Sequence, residues 1–493
     1  MQIQTPDWVK SAVFYQIFPD RFARSKQPRV RISHSVPLEP WDALPTLQGY
    51  KGGDLWGVIE QLDYLKELGI DAIYFTPIFQ SASNHRYHTH DYFQVDPLLG
   101  GNSAFMELLE ESHQRNIKVV LDGVFNHSSR GFFFFNDILE NGPYSPWLDW
   151  FKIEGWPLSA YDGSKPANYV GWDNNRALPQ FNHDNPDVRE YIMQIGEYWI
   201  KLGVDGWRLD VPFEIQTPGF WQEFRTRVKA INPEAYIVGE VWRDSRQWLD
   251  GTQFDGVMNY LFTAPTIAFT AGDRVVMDYV KSQSYEPYPP LDAAGYAAKI
   301  EYLLQLYPWE IQLTQLNLLD SHDTARLLSI ASGGRESPEA EAQESVRLAT
   351  LLMFTFPGAP SIYYGNEVGL AGAVDPDSRR VFPLEAEWKQ EVLHYHRQLI
   401  ALRHAHRALR TGKYKVLSAE GMVYVFARQL EKEELIVAIN AGTSNEQVKF
   451  KVSELASQPS QLLYGSGEFS WSQKEESSYL SLKIPARTGC VLG

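Results

Sequence analysis

Among 493 residues there is one cysteine, Cys490. A single thiol closes no internal disulfide, so the fold relies on no covalent cross-link, and a reducing, cytoplasmic location is expected. No apolar run approaches the roughly 18 residues that a membrane-crossing helix needs. The opening stretch, MQIQTPDWVKSAVFYQIFPDRF, lacks a basic segment leading into an apolar one, and no secretory signal is expected from it. Positive charge is also scarce. Lys and Arg number 45 against 61 Asp and Glu, a formal net charge of −16, which disfavours a nucleic-acid or anionic-membrane partner and suits a neutral one. The chain is instead rich in apolar residues (44%) and aromatics (14%), the mark of a folded protein with either a large core or flat surfaces for a ring-shaped ligand.

The residues from 54 to 77, DLWGVIEQLDYLKELGIDAIYFTP, set a pattern. Leu55, Val58, Ile59, Leu62, Leu65 and Leu68 recur at helical spacing behind Asp54 as N-cap, and Gly69 stands where a left-handed residue ends a helix. The short apolar strand AIYFTP follows at once. Asn185, Pro186 and Gly203 repeat this grammar before VDGWRLDV, and Asn116 takes the glycine role before IKVVLDGVF. Further strands are expected in AVFYQIFP (12–19), AYIVGE (235–240), FDGVMN (254–259), QLTQLNLL (312–319) and PSIYYG (360–365). Eight strands alternating with helices predict a (β/α)8 barrel, with function at the C-terminal strand ends. The barrel is expected over 1–126 and 186–404. A small inserted domain is expected at 127–185, after the third strand, since a loop that long has a structure or function of its own. From 405 to 493 the pattern changes to short β segments, predicting an antiparallel sandwich. Arg24, Lys26, Arg29 and Arg31 read as a solvated loop, and 331–345 as a mobile polar loop entering a helix.

Charge gathers at the predicted strand ends. DGVFNH gives Asp122, Asn126 and His127; GWRLDV gives Arg208 and Asp210; GEVW gives Glu240; DSHDTAR gives His322 and Asp323; HRYHTHDY gives Tyr87, His88 and Asp91. Arg208 and Asp210, two apart on a strand, point to one face. Each residue alone has a bland reading as a helix cap or a satisfied core group, and Asp122 is left open between a turn residue and a site residue. Five strand ends carrying charge to one rim are not explained that way. Two carboxyl groups, one ionised and one protonated, are what glycosidic bond cleavage requires. Asp210 beside Arg208 suits the nucleophile. Glu240, on an apolar strand, suits the general acid through desolvation. Asp323 suits stabilisation of developing positive charge, His127 and His322 suit donation to sugar hydroxyls, and Tyr87 suits stacking on the ring.

DGVFNH, GWRLDV, GEVW and LLDSHD resemble, in order, the four signature regions of the α-amylase family of glycoside hydrolases. LPQFN (178–182) is similar to a fifth region of its neopullulanase and cyclomaltodextrinase branch, and FFFFNDILENG, FDGVMNY and DPDSRR fit that branch and cyanobacterial debranching amylases. The resemblance implies a retaining hydrolase of α-glucans, cutting α-1,4 bonds, α-1,6 bonds or both. Asp210 is then the nucleophile, Glu240 the acid/base and Asp323 the third acid. Arg208, His127, His322 and Tyr87 surround the sugar being cleaved, Asp375 and Arg379 contact its neighbour, and Phe213 and Trp242 are further substrate contacts. An α-glucan transglycosylase is the alternative, and a non-catalytic glucan-binding homologue the remote one.

The chain departs from that branch in three ways. Its first barrel strand begins near the N-terminus, so the dimer built through an additional N-terminal β domain is not expected. VPFE follows the nucleophile where the branch tends to VANE, and His88 stands where an Asp is common. Asn126 matches a calcium ligand of many amylases, but RFARSKQP offers basic side chains where another calcium site has Asn and Asp, and no cofactor or essential calcium is expected.

Overall fold

Helix ends form where the sequence places them. In the computed structural model, which describes residues 3–26, 36–281, 289–333, 339–452, 458–474 and 477–493, the Asp54 carboxylate accepts from the Gly57 amide and opens a helix at Leu55. The apolar stripe runs through two short helices, Leu55–Glu60 and Leu62–Leu68, offset at Gln61 rather than continuous. Gly69, at φ 96°, closes the second. Asn116 serves Gly101–Gln114 in the same way at φ 57°. Asn185 and Pro186 start Pro186–Lys201, the asparagine side chain accepting from the Asp187 amide.

The chain divides into two compact units: Met1–Pro6, Tyr15–Val241 and Gln247–Val257 in the first, and Asp7–Phe14, Trp242–Arg246 and Met258–Gly493 in the second. The eight expected strands are present as β1 (Phe14–Ile17), β2 (Ala72–Phe75), β3 (Lys118–Gly123), β4 (Gly206–Leu209), β5 (Tyr236–Gly239), β6 (Gly256–Val257), β7 (Leu316–Asn317) and β8 (Ala359–Tyr363). In the first unit they run β6-β5-β4-β3-β2-β1, with parallel pairing from β2 to β6. In the second, β8 pairs in parallel with β7. With helices between successive strands, this is the (β/α)8 barrel class. β6 and β7 are shorter than expected. Gln312 ends a helical turn, Trp309–Gln312, and side-chain amides add to the backbone bonds here, Asn259 donating to Asn317 at 2.8 Å and Asn317 to the Pro357 carbonyl at 2.9 Å.

Residues 127–185 are tied together by a helix, Phe133–Asn141, by isolated bridges such as Phe151 to Phe181 and Ile153 to Tyr169, and by aromatic packing. Phe134 stacks on Trp147 at 3.8 Å, and Phe132 meets Phe181 edge-on. In the second unit, residues from Lys413 onward form β9 (Lys413–Glu420), β10 (Val423–Leu430), β11 (Glu433–Asn440), β12 (Glu446–Val452), β13 (Leu462–Gly465), β14 (Glu468–Lys474), β15 (Ser477–Ile484) and β16 (Thr488–Leu492). They make two antiparallel sheets, β9-β10-β11-β16-β13 and β12-β15-β14. Alternate residues of both sheets, among them Val425, Ile436, Phe450, Leu480 and Leu482, share one buried apolar cluster. The helix expected after the 331–345 loop begins inside it, as Glu339–Thr355, so residues 339–345 are helical and not loop, while residues 334–338, with Arg29 and Arg31, lie outside the described residues. Among the described residues no helix is long and apolar enough to cross a membrane.

Two buried histidines give the fold a pH dependence that can be measured. Burial holds His183 and His396 each down to about 4, against the carbonyls of Phe125 and Val392. The unfolded chain takes up these protons below about 6.5, which the native chain refuses. Their contribution is therefore complete above about 6.5 and is lost as pH falls toward 4. His396→Gln should flatten the fall of thermal midpoint between pH 7 and pH 5 relative to the parent. An unchanged difference between the two pH values would remove His396 from the account.

Candidate active site

Parallel register places the first group of charges. β3 pairs with β4 so that Asp122 lies beside Arg208, and β4 pairs with β5 so that Leu209 lies beside Gly239. The ladder continues past the strand ends, with the Asp210 amide donating to the Gly123 carbonyl at 3.1 Å and the Glu240 amide to Leu209 at 2.9 Å. Asp122, Arg208, Asp210 and Glu240 thus emerge from three adjacent strands. All four are buried.

Their centre is the Arg208 guanidinium. Nη1 donates to both oxygens of Asp122, at 2.9 and 3.0 Å, and to Asp210 Oδ1 at 3.0 Å. Nη2 stands 2.9 Å from Glu240 Oε2. The sequence paired this arginine with Asp210 alone; it is shared among three acids. Asp122, left open between two readings, belongs to the site, its Oδ2 accepting from the hydroxyls of Tyr87 at 3.0 Å and Tyr74 at 3.3 Å. Burial pushes Asp122 up to about 6 against the pull of Arg208, and the charge of Glu240 adds to the rise.

The end of the inserted region closes on the same place. His127 bridges to Gln180 of LPQFN, and the Phe181 amide donates to the Asn126 carbonyl at 3.1 Å. Burial, with His88 nearby, holds His127 down to about 3 against the Tyr87 carbonyl, so the ring is neutral at pH 7. Its Nε2 is buried without a well-formed hydrogen bond among the described residues, and Trp172, which no sequence pattern marked, stacks on the ring at 5.4 Å. The His88 ring is likewise kept neutral by burial, with Arg130 and His90 acting in the same sense. Asp91 caps a turn, accepting from the Phe93 amide at 2.8 Å.

The backbone at Val211 is unusual. Directly after Asp210 it adopts φ 35°, ψ 50°, the left-handed region. A branched residue there costs on the order of 1–3 kcal/mol. Its amide donates to Glu240 Oε2 at 3.2 Å. Pro212–Glu214 then forms a single 3-10 turn that carries Phe213, half-buried.

The second unit carries its own charged group at the end of β7. His322 is buried with Nε2 3.2 Å from Asp323 Oδ2. Arg379 bridges two acids, Nη2 at 3.6 Å from Asp323 and Nη1 at 3.1 Å from Asp375, while Nε donates to the His322 carbonyl at 3.0 Å. The four residues expected from LLDSHD and DPDSRR are therefore one cluster. Trp242 stacks on Tyr260 at 3.6 Å, nearly coplanar, so its ring orientation is fixed.

The oxygens a calcium ion would need are in other hands. Asn126 Oδ1 accepts from Gln180 at 3.1 Å. Arg24 donates to the Lys51 carbonyl, and the buried Lys51 ammonium to those of Pro40 and Ala43, each at 2.7 Å. Cationic side chains stand where a hard cation would take carbonyls, so these residues do not fit one. Among the described residues no group of three or more His, Cys, Asp or Glu is placed to hold a metal.

Arg208→Met should lower stability by about 3–5 kcal/mol, because three buried acids lose their counter-charge. Adding Asp122→Asn should restore part of that loss in urea denaturation. If the double variant is no better than the single one, Asp122 is not a partner of consequence.

Comparison with known proteins follows the same outline. The family description "alpha amylase, catalytic domain" matches residues 16–381, and "alpha-amylase C-terminal domain" matches residues 412–492. The crystal structure of a debranching enzyme from Nostoc punctiforme is 72% identical, with a TM-score of 0.93 and complete coverage of both chains. A cyclomaltodextrinase of Bacillus sp is 42% identical over 442 residues, 89% of this chain and 74% of that one. Neopullulanase 2 of Thermoactinomyces vulgaris is 40% identical over 459 residues, 91% of this chain and 72% of that one.

Proposed function

The chain belongs to the α-amylase family of glycoside hydrolases, and from that premise we propose that it cleaves α-glucosidic bonds with retention, Asp210 attacking and Glu240 giving and taking the proton. The observation that carries this reading is the shared guanidinium: one buried cation touches both Asp210 and Glu240, so both acids serve one site. In the first step an Asp210 oxygen bonds the anomeric carbon as the electrons of the C1–O bond pass to the leaving oxygen, which takes the Glu240 proton. In the second, water gives a proton to the Glu240 carboxylate and displaces Asp210 from the sugar.

The remaining residues support that chemistry. The Tyr87 ring, fixed by its hydroxyl on Asp122, offers a flat face for stacking. Neutral His127 can donate Nε2–H to a sugar hydroxyl, and its stack on Trp172 holds the ring in place. Asp323, held by His322 and Arg379, takes the role of third acid that the resemblance of LLDSHD implies. Asp375, Arg379, Phe213 and Trp242 are assigned to flanking sugars on the same ground. Asp210→Asn should cut turnover at least ~10³-fold while glucan binding stays measurable. Near-normal turnover in that variant would eliminate Asp210 as the nucleophile.

We place α-1,6 as well as α-1,4 linkages within its range. The relatives include a debranching enzyme, a cyclomaltodextrinase and a neopullulanase, and VPFE alters the chain after the nucleophile. Sizing the products from pullulan decides between linkages: maltotriose reports α-1,6 cleavage and panose α-1,4. Panose alone, with glycogen branch points left intact, would withdraw the debranching reading. We further propose that turnover needs no calcium, on the engaged oxygens of Asn126 and the Lys51 loop. Full activity is expected in excess chelator; loss that calcium reverses would overturn this. We further place the enzyme in the cytoplasm, on its single cysteine and hence its lack of an internal disulfide, and recovery outside the cytoplasm on fractionation would count against it.

A further inference from the structure

Val211 is the only branched residue at positive φ among the described residues; the other non-glycine positions there are Arg, Asn, Asp and Glu. It is nearly buried and is followed by a proline, so neither solvent nor a loose loop accounts for its conformation. What the conformation does is turn one amide. The Asp210 N–H stays in the ladder with β3, whereas the Val211 N–H reaches Glu240 Oε2 at 3.2 Å. The same oxygen lies 2.9 Å from Arg208 Nη2. An amide hydrogen and a guanidinium therefore both meet Oε2. A proton placed there would face the amide donor and the adjacent positive charge of Arg208, and the carboxyl holds its proton better on Oε1.

We propose that Val211 is a positioning residue for the acid/base: its strained backbone holds Glu240 Oε2 so that Oε1 carries and delivers the proton. This rests on the reading of Glu240 as the acid. In bond cleavage the Oε1–H bond breaks and the proton passes to the glycosidic oxygen as the C1–O electrons move onto it, leaving a carboxylate whose charge Oε2 already shares with Arg208 and the Val211 amide. The attacking water later returns a proton to Oε1. The conformation at 211 acts on the step that needs a proton and leaves the attack by Asp210 alone.

That selectivity is testable because a glycosyl fluoride departs without protonation, whereas a maltooligosaccharide does not. Replacing Val211 by its α-hydroxy acid keeps the side chain and turns the N–H into an ester oxygen. The expected result is a ten- to hundredfold lower kcat on maltohexaose with KM little changed, an alkaline limb of kcat/KM moved to higher pH, and turnover of α-maltosyl fluoride within about twofold of the parent. Val211→Gly, which accepts positive φ and folds without strain, should show a smaller loss with the same preference for the fluoride. Equal losses on both substrates, or no loss and no shift of the limb, would overturn the proposal. Glu240→Gln separates the two readings. It should lose bond cleavage on maltohexaose yet release a first equivalent of fluoride near the parent rate, then stall as the glycosyl-enzyme for want of the base; if cleavage of both substrates falls alike, Glu240 is not the acid.

Discussion

Arg208 is fully buried, and its charge is met by acids from its own strand end and from the two strands beside it. That requirement disciplines this end of the first unit. Three parallel strands must hold a register in which Asp122, Asp210 and Glu240 surround one guanidinium, and a slip of one residue would turn Arg208 to the opposite face. Close strand packing guards against the slip. A Cβ on Gly206 would stand 2.3 Å from the Tyr236 carbonyl, so β4 lies against β5 only with glycine there. One cation among three acids also leaves acid in excess. That excess, in a largely buried place, raises the affinity of the cluster for a proton, and Asp122, pushed by burial to about 6, shows the pressure.

The inserted region extends the same logic outward. Its aromatic residues pack on one another, and its last strand-like bridge returns Gln180 and Phe181 to Asn126 and His127 at the end of β3. The polar wall near the acids is thereby anchored to an apolar body. His127 can be kept neutral, with its Nδ1 side against Asn126 and its ring against Trp172, because this body excludes water from it.

Much of this is legible in the sequence. Asp54, Gly69, Asn116, Asn185 and Pro186 signal helix ends by local chemistry, and local chemistry is what a sequence displays. The eight strands are legible for the same reason, although β6 and β7 are shorter than their apolar segments. The offset at Gln61 was invisible because the apolar period passes through it without a break. Partnership was harder to read than presence. The sequence pairs Arg208 with Asp210 because the two share a strand face, and nothing in it says that Asp122 and Glu240 converge from neighbouring strands. Trp172 sits in a polar stretch, and its contact with His127 depends on how the insertion folds back. The left-handed Val211 runs against its residue type, so propensity points away from it.

The shared arginine cannot by itself divide labour between Asp210 and Glu240, because an opposite charge touching both favours the ionised form of each. Desolvation does not divide them either, since both are buried. The difference the structure offers lies in the backbone. Alternate residues of a parallel strand bond to alternate neighbours. The Asp210 amide therefore goes to β3, the Leu209 carbonyl to β5, and the amide of Val211 falls on the β5 side, where Glu240 leaves its strand. Extended geometry would commit that amide to the ladder; the left-handed turn aims it at the side chain instead. Two consecutive amides thus have different duties, one building the wall and the next acting on the acid. The asymmetry between two chemically similar carboxylates arises where β4 stops being a strand.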